Sequence, residues 1–207
     1  MAEDLTGSLE EGQTPIDDIS GLFVKVKNRQ ELNDLESGNN YKAYTKYILF
    51  IKPTSKFNPF THESLCQIHK DMFGEVWDWA GIPRKKGGKN IGVDGAKVGY
   101  EINRFLFDFH QWEEKEVPSS EVGVRVHHRL VWIHPFENGN GRWGRLVTNI
   151  YLHRKELSLL NWPQDEKFIK DVFKPRYISA LKSADGGNFG PLKKIHEECS
   201  ANGASTS

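Results

Sequence analysis

The sequence predicts an all-α domain that carries one short β element. From residue 28 onward, apolar residues recur at helical spacing through most of the chain. One glycine-rich stretch, residues 79–95, interrupts this pattern, and strands do not alternate with helices on either side of it. A chain of 207 residues is long enough to bury one sizeable core. We therefore expect a single helical domain.

The composition excludes a global electrostatic field, because 28 Lys and Arg residues balance 28 Asp and Glu residues. We expect no specific nucleic-acid partner and no membrane partner. Cys66 and Cys199 lie far apart and indicate unpaired thiols in a reducing compartment, although a single disulfide is compatible with the sequence. The acidic, polar N-terminus is unlike a signal peptide, and no apolar run approaches the roughly 18 residues of a membrane span. These features predict a soluble, cytoplasmic protein.

The N-terminal part of the chain divides into an arm and the first helices. Residues 1–25 are rich in Gly, Asp and Glu without apolar periodicity at their start, which predicts a flexible arm ahead of a domain over 26–199. Asn28 is a predicted helix N-cap, and Thr61 and Gly74 are a predicted N-cap and C-cap. Leu32 and Leu35 share one face of the first helix, and Leu65, Ile68 and Met72 follow helical spacing in the second.

The middle and the end of the chain return to helix after one irregular stretch. Residues 79–95 hold five glycines and one proline, which predicts a short two-stranded hairpin or an extended loop. A helix begins at Pro118 or Ser119, and further helical patterns cover 164–172, 175–183 and about 189–199. Residues 200–207 are predicted to be disordered. The other apolar positions at helical spacing are Ile102, Phe105, Leu106, Phe109, Leu146, Ile150 and Leu157.

The stretch HPFENGNGRWGRL, which begins at His134, concentrates the polar chemistry of the chain. Gly139 and Gly141 admit backbone angles that other residues avoid, and they leave no side chain in the way of an anion. The next helix is predicted to begin near Gly141 or Arg142, so its N-terminal N–H groups face the same point. Arg142 and Arg145 lie three residues apart, share one helix face and carry donor forks that suit phosphate. The stretch predicts a site for two or more phosphates with His134 as general base.

Competing interpretations of these residues are weaker. Taken singly, a histidine at a helix end or an arginine on a helix is usually structural, but their combination within twelve residues is not expected by chance. Gly139, Gly141 and Gly144 match the pattern GxGxxG, yet no buried strand leads into the first glycine, as a dinucleotide fold requires. No phosphate-binding loop of the GxxxxGK[ST] type is present.

The other histidines predict no metal site. His127 and His128 do not form HExxH, and adjacent side chains on a helix diverge, so a shared metal is improbable. Packing in the core or on the surface is the expected role of the others: His62, His69, His110, His153 and His196.

The motif resembles the Fic signature HxFx(D/E)GNGRxxR, which it matches at every fixed position except one. The segment WAG and the irregular basic residues after it resemble the Fic flap, and residues 177–192 resemble the closing helices of that family. The resemblance covers roughly residues 28–195. The form HPFxNGNGR is similar to the branch called mobile mystery protein B. The implied fold is a Fic-like helical bundle with a short β-hairpin flap.

The resemblance implies a protein nucleotidyltransferase that moves AMP from ATP to a hydroxyl side chain of a target protein. It implies that His134 takes the proton of the target Ser, Thr or Tyr hydroxyl and that Phe136 anchors the loop in the core. By the same analogy Gly139, Asn140 and Gly141 cradle the α and β phosphates. The remaining implied roles are phosphate binding by Arg142 and Arg145 and target docking, by strand addition, on a flap that includes Lys89, Asn90, Ile91 and Gly92.

The one departure from the signature is Asn138, where the family places the acid that holds Mg²⁺ against the phosphates. An amide oxygen remains a ligand, but it brings no negative charge to a hard cation. Glu137 is expected to point away from its neighbour. Two function classes therefore remain open: an active AMP transferase with Mg²⁺ as cofactor, and a catalytically degenerate module that binds nucleotide for regulation.

Self-inhibition is not predicted from the sequence. Many proteins that the chain resembles carry an inhibitory helix with the pattern (S/T)xxxE(G/N), and its closest counterpart here, SLEEG, is one residue too short. If the chain is a toxin-like module, the expected source of silencing is a separate small inhibitor protein of antitoxin type, or the change at Asn138 itself.

Overall fold

The computed structural model describes residues 21–86, 92–163 and 169–204 of the chain. Within these ranges the fold is helical, as predicted, and contains seven α-helices. Their bounds are α1 Arg29–Tyr44, α2 His62–Phe73, α3 Val98–Glu114, α4 Ser119–Ile133, α5 Asn140–Arg154, α6 Lys174–Asp185 and α7 Gly190–Ala204. Two π-helical segments, Thr45–Phe50 and Ile169–Phe173, extend α1 and precede α6.

Local capping chemistry sets the starts of the first two helices, as the sequence predicts. The Asn28 side chain accepts a hydrogen bond from the Glu31 N–H at 2.9 Å, and the Thr61 side chain accepts one from the Ser64 N–H at 3.1 Å. Gly74 is the C-cap of α2, also as predicted. These contacts satisfy backbone donors that the helix itself leaves without a partner.

The core lies between α4 and α5, which make the most extensive helix–helix contact, and the helices around them. Its largest fully buried side chains are aromatic: Trp77, Trp143, Tyr47, Tyr151, Phe73, Phe105 and Phe136. Most of the apolar positions named from the sequence are buried, whereas Leu35 and Leu157 are exposed. Leu157 follows the end of α5, where Glu156 takes a positive φ of 54° and the chain leaves the helix.

The predicted hairpin is not seen among the described residues of 79–95, which form turns, an irregular segment and a single 3₁₀ turn at Gly95–Lys97. The centre of that stretch, residues 87–91, lies outside the described residues. The bridge between Leu22 and Trp77 is antiparallel and isolated. It is flanked by hydrogen bonds from Phe23 N to Val76 O and from Asp78 N to Gly21 O, both 2.9 Å. The last residues of the predicted arm therefore dock on the domain.

The C-terminal helices α6 and α7 both pack against α4. Helix α7 continues to Ala204, so residues 200–204 are helical rather than disordered as predicted. Residues 164–168 of the predicted helix 164–172 lie outside the described residues. Cys66 and Cys199 are both free thiols. No helix in the described part of the chain is long and apolar enough to cross a membrane. The domain boundaries at 25 and 199 stay predictions.

Candidate active site

His134 sits at the turn where α4 ends and the motif loop begins. It is buried and takes a left-handed conformation with φ 52° and ψ 59°, which is uncommon for a residue with a side chain. Its Nδ1 lies 3.3 Å from the Val131 carbonyl oxygen. A carbonyl only accepts, so this contact places the proton on Nδ1 and the basic lone pair on Nε2. The side chain is thus held in the tautomer that a general base at Nε2 requires.

Arg84 fastens the backbone of this turn to the segment that precedes the predicted flap. The buried guanidinium donates from Nε to the His134 carbonyl oxygen at 2.7 Å and from Nη2 to the Val93 carbonyl oxygen. The Arg84 N–H also donates to the Pro135 carbonyl oxygen at 2.8 Å. Burial lowers the pKa of Arg84, and the charges of Glu137 and Asp94 oppose that shift. The Arg84 side chain therefore joins its own segment to the His134 turn and to the segment at Val93.

The motif loop closes over an aromatic stack. Phe136 is buried and stacks on the His69 ring, with centroids 3.7 Å apart, and meets Trp143 edge-on at 5.0 Å. The buried Asn140 side chain accepts from the Phe136 N–H at 2.9 Å and donates to the Phe136 carbonyl oxygen at 2.8 Å. The predicted place of Phe136 as an apolar anchor agrees with this packing. The Asn140 side chain is engaged with the loop itself, so only its backbone N–H remains for a phosphate.

His69 supports the loop from α2. Its Nδ1 accepts a hydrogen bond from the Gly81 N–H at 3.0 Å, so Nε2 carries the proton and donates to the Asn138 carbonyl oxygen at 3.0 Å. Burial lowers its pKa to about 3, and the charge of Arg142 acts in the same direction. The neutral ring is therefore a fixed strut between residue 81 and the loop.

The two glycines of the loop differ in what they need. Gly139 is the N-cap of α5 with φ 76°, and an added Cβ would lie 2.5 Å from the Phe73 ring. Gly141 lies inside the first turn of α5, and an added Cβ would meet nothing within 4 Å. The expectation of a special backbone angle is confirmed for Gly139 and is wrong for Gly141. The helix begins at Asn140, one residue earlier than predicted.

The N-terminus of α5 is open to an anion. None of the described side chains caps it, and its first turn holds no acidic residue. The backbone N–H groups of a first helical turn have no partner within the helix, and the helix dipole favours negative charge at this end. The start of α5 therefore has the donors and the polarity of a phosphate site.

Arg142 is paired with a carboxylate that the sequence analysis did not single out. Its Nη1 lies 2.7 Å from Oε2 of Glu36, which is buried in α1, and its guanidinium lies over the Phe73 ring at 4.8 Å. The other Glu36 oxygen accepts from Trp77 Nε1 at 2.7 Å. Glu36 thus neutralises Arg142 and is itself held in place by the core.

Arg145, one turn further along α5, has different surroundings. Its guanidinium lies 5.6 Å from the ring centroid of Trp162. Among the residues that the structure describes, no carboxylate forms an ion pair with it. Burial lowers the pKa of Arg145; the hydroxyl of Tyr177 opposes the shift and the charge of Arg142 adds to it. An arginine stays charged in proteins, so this site holds one positive charge without a described counter-ion.

Asn138 and its neighbours do not form a resident metal site. The Asn138 Oδ1 accepts a hydrogen bond from the Gly139 N–H at 2.7 Å. This oxygen is the side-chain atom of Asn138 that could bind a metal, it is uncharged, and the hydrogen bond already uses one of its lone pairs. No group of three or more His, Cys, Asp or Glu side chains in the described ranges converges as metal ligands would. The described residues therefore do not fit a Mg²⁺ ion held by the protein alone.

The predicted flap residues are only partly placed. Lys89, Asn90 and Ile91 lie outside the described residues. Gly92 is described, has φ 101°, and packs so closely that an added Cβ would lie 2.3 Å from the His134 Cβ. The structure thus brings His134, Gly92, Gly139, Arg142 and the start of α5 together around one loop.

Sequence reasoning missed three residues of this site: Glu36, His69 and Arg84. Each reaches the motif from another element, so no local pattern marks its role. His69 was expected only to pack, and Arg84 was noted only as part of a basic segment. The sequence holds a signal for His69 alone, which is a polar residue on the apolar helix face formed by Leu65, Met72 and Phe73.

Comparison with known proteins agrees with this geometry. Residues 59–152 match the sequence profile of the Fic/DOC family. The Protein adenylyltransferase Fic of Drosophila ananassae is 25% identical over 143 residues, which are 67% of this chain and 27% of that protein. Its counterpart in Drosophila melanogaster is 24% identical over 67% of this chain and 28% of that protein. The chain spans about a quarter of the length of these curated relatives.

Solved structures share the fold at low sequence identity. The Bartonella tribocorum effector BepC, with bound AMPPNP, matches with a TM-score of 0.62 and 19% identity over 92% of this chain and 94% of that chain. Fic-1 from C. elegans matches with a TM-score of 0.69 and 17% identity over 85% and 51% of the two chains. The N-terminal Fic domain of a Bartonella quintana effector, with bound ADP, matches with a TM-score of 0.61 and 18% identity over 84% and 86%.

The profile match contains the whole motif loop, and the fold that positions the loop is shared with solved Fic domains. Residues 59–152 of the chain are therefore similar to the Fic/DOC family, and the fold is that of solved Fic domains.

Proposed function

We propose that this protein transfers AMP from ATP to a hydroxyl side chain of a target protein. The carrying observation is the single loop that joins a buried histidine to an uncapped helix N-terminus with two arginines one turn apart. The names of the Drosophila relatives, which are protein adenylyltransferases, support the same activity. Related folds with AMPPNP and ADP support a nucleotide as the donor.

His134 is the proposed general base. Its Nε2 takes the proton of the target hydroxyl as the hydroxyl oxygen attacks the α phosphorus in line with the bond to the β phosphate. That phosphorus–oxygen bond breaks, pyrophosphate leaves with the bonding electrons, and AMP stays on the target as a phosphodiester. The reaction consumes one ATP and needs no oxidant or reductant.

The loop and the start of α5 are the proposed phosphate site. Backbone N–H groups of Asn140 and Gly141 donate to the α and β phosphates, and Arg142 and Arg145 reach the β and γ phosphates. Charge that builds on the leaving pyrophosphate is stabilised by donors already in place. Arg142 must loosen or share its contact with Glu36 to take part, whereas Arg145 has no such contact to give up among the described residues.

The proposed reaction also needs Mg²⁺ and a target protein, and the described residues of the site do not hold Mg²⁺ by themselves. Since Asn138 offers one neutral oxygen, any Mg²⁺ arrives on the nucleotide and is held mainly by phosphate oxygens and water. The target segment docks on the flap over residues 89–92 by strand addition. A small inhibitor protein of antitoxin type remains the proposed regulator if the chain is toxin-like.

A second candidate function is a nucleotide-binding regulatory module without transfer. The observation in its favour is the orientation of Asn138, whose Oδ1 is turned to the loop backbone rather than left open for a metal. Retention of His134 in a defined tautomer favours the transferase, because a pure binding module has no need of a base at that point.

The substitution His134→Ala separates the two candidates. Transfer is measured as the mass added to proteins when the full chain is mixed with ATP, Mg²⁺ and a cell extract, and ATP binding is measured by calorimetry. The transferase requires a loss of about 10²–10⁴-fold in transfer with ATP affinity nearly unchanged. If the wild type binds ATP but adds no mass to any protein, the regulatory module is the better description.

A further inference from the structure

A buried chain of neutral polar side chains lies behind Arg145, and the proposed reaction makes no direct use of it. His127 in α4 is fully buried, and its Nδ1 lies 2.7 Å from Nε2 of His196 in α7. Its Nε2 lies 2.8 Å from the hydroxyl of Tyr177 in α6. We call these three residues the polar chain. They connect three helices through two hydrogen bonds in a region closed to water.

The polar chain surrounds the aromatic ring on which Arg145 rests. Trp162 meets His127 edge-on at 5.2 Å, His196 at 6.0 Å and Tyr177 at 6.2 Å. The Arg145 guanidinium lies 5.6 Å from the centroid of the same ring. Each member of the polar chain therefore packs against the indole, and a shift in any of them changes the surface that supports Arg145.

The polar chain carries no charge. Burial lowers the pKa of His196 to about 4 and that of His127 well below its usual range, and the charge of Arg145 acts on His127 in the same direction. Burial raises the pKa of Tyr177 to about 12, against the influence of Arg145. Two neutral imidazoles and a hydroxyl satisfy each other with either direction of donation along the chain. No member offers Arg145 a counter-charge.

We propose that Tyr177, His127 and His196 are positioning residues for Arg145: they fix Trp162 beneath its guanidinium while leaving its positive charge for an anion. This inference rests on the proposed function, in which that anion is the terminal phosphate of ATP. Neutral support has a physical advantage here, because a carboxylate in the same place would compete with the phosphate, as Glu36 does at Arg142.

The test compares the affinities of ATP and AMP for the full chain by calorimetry. Tyr177→Phe removes the hydroxyl that bonds His127 but keeps the ring that packs on Trp162 and Phe173. We expect ATP affinity to fall about fivefold while AMP affinity stays unchanged. A merely structural role would change both affinities or neither.

A double-mutant cycle assigns the effect to Arg145. In an Arg145→Ala background, Tyr177→Phe should have no further effect on ATP affinity, because the residue it positions is absent. Tyr151→Phe is the matched control: this buried tyrosine of α5 also has a hydrogen-bonded hydroxyl, 2.9 Å from Glu113, but it lies outside the polar chain. It should leave the ratio of ATP to AMP affinity as in the wild type.

The outcomes separate the inference from the proposed function. If Arg145→Ala weakens ATP binding and Tyr177→Phe does not, the positioning role is overturned and the phosphate role of Arg145 stands. If the effects of the two substitutions simply add, Tyr177 acts elsewhere and the positioning role is again overturned. If Arg145→Ala leaves ATP binding unchanged, both the positioning role and the phosphate role of Arg145 are overturned.

Discussion

Arg142 and Arg145 lie one turn apart on the same helix, yet they sit in opposite electrostatic surroundings. Arg142 faces the buried carboxylate of Glu36, which is also fixed by Trp77. Arg145 rests on Trp162 among neutral groups, and no described carboxylate pairs with it. The sequence spacing suggests the same role for the two side chains, but their neighbours in the fold give them different electrostatic surroundings. Arg142 is held in place by a counter-charge, whereas Arg145 has no carboxylate partner among the described residues.

Removal of each arginine in turn should have the largest effect on nucleotide binding. Arg145→Ala should weaken ATP binding by about 10–100-fold, because a charge-assisted hydrogen bond contributes roughly 1.5–3 kcal/mol. Arg142→Ala should weaken it less, about tenfold or below, since Glu36 already uses part of its capacity. AMP affinity should change little in either variant. Calorimetry with ATP and AMP checks this, and equal losses for both nucleotides would place the two side chains away from the outer phosphates.

A carboxylate at position 138 should strengthen the binding of Mg²⁺ in the nucleotide complex. Asn138→Asp is nearly isosteric, its Oδ1 still accepts from the Gly139 N–H, and it brings a negative charge to the phosphates. We expect the Mg²⁺ concentration for half-maximal ATP binding to fall about tenfold, which corresponds to ~1.4 kcal/mol. A Mg²⁺ titration at constant ATP measures it.

Glu137→Gln is the control for that titration and should have a smaller effect. If Glu137→Gln instead abolishes the Mg²⁺ dependence and Asn138→Asp leaves it as in the wild type, then Glu137 is the metal carboxylate and the register of the loop has been misassigned.

The neutral surroundings of Arg145 predict a dependence of stability on pH. In the folded state the pKa of His196 is about 4, and that of His127 is also lowered, while an unfolded histidine has a pKa near 6.5. The free energy of unfolding that these two histidines contribute is therefore fully present above about pH 6.5 and falls as the pH is lowered toward 4. The reason is that the unfolded chain binds protons that the folded chain excludes. His69, with a pKa of about 3, adds to the same slope.

Urea denaturation at several pH values between 7 and 4.5 measures this slope. His196→Gln should reduce it by about one proton, or ~1.4 kcal/mol per pH unit. A slope that is identical in the wild type and in His196→Gln would show that His196 is accessible to protons in the folded state.

The smallest expected effect comes from relieving the contact at Arg142. Glu36→Gln keeps an acceptor for Trp77 Nε1 but removes the charge that pairs with Arg142. We expect ATP affinity to rise about threefold, which lies within the roughly 0.2–1 kcal/mol of a partly exposed ion pair. The gain should vanish when Arg142→Ala is added. A loss of ATP affinity would mean that Glu36 orients Arg142 for the nucleotide instead of competing with it.

Local features of the fold were predictable from the sequence, and long-range ones were not. The caps at Asn28 and Thr61 satisfy donors three residues away, so sequence spacing reveals them. His69 reaches Asn138 across 69 positions and Arg84 reaches His134 across 50, and only the tertiary fold brings these pairs together.

The candidate site shows the same division between near and distant partners. Spacing placed His134, Gly139 and the arginines on one loop and one helix turn. It could not show that Glu36 pairs with Arg142, or that Gly141 needs no special backbone angle, because packing and the actual start of α5 decide both points.

The contact between Gly92 and His134 has a consequence for genetics. Position 92 lies 42 residues before the motif, so a comparison limited to the signature would score a substitution there as neutral. Yet a single methyl group at Gly92 would have to occupy space within 2.3 Å of the His134 Cβ, on a backbone with φ 101°. Random mutagenesis of this chain should therefore yield inactive alleles whose signature is complete. Screens for loss of function would place residue 92 in the same phenotypic class as the signature itself.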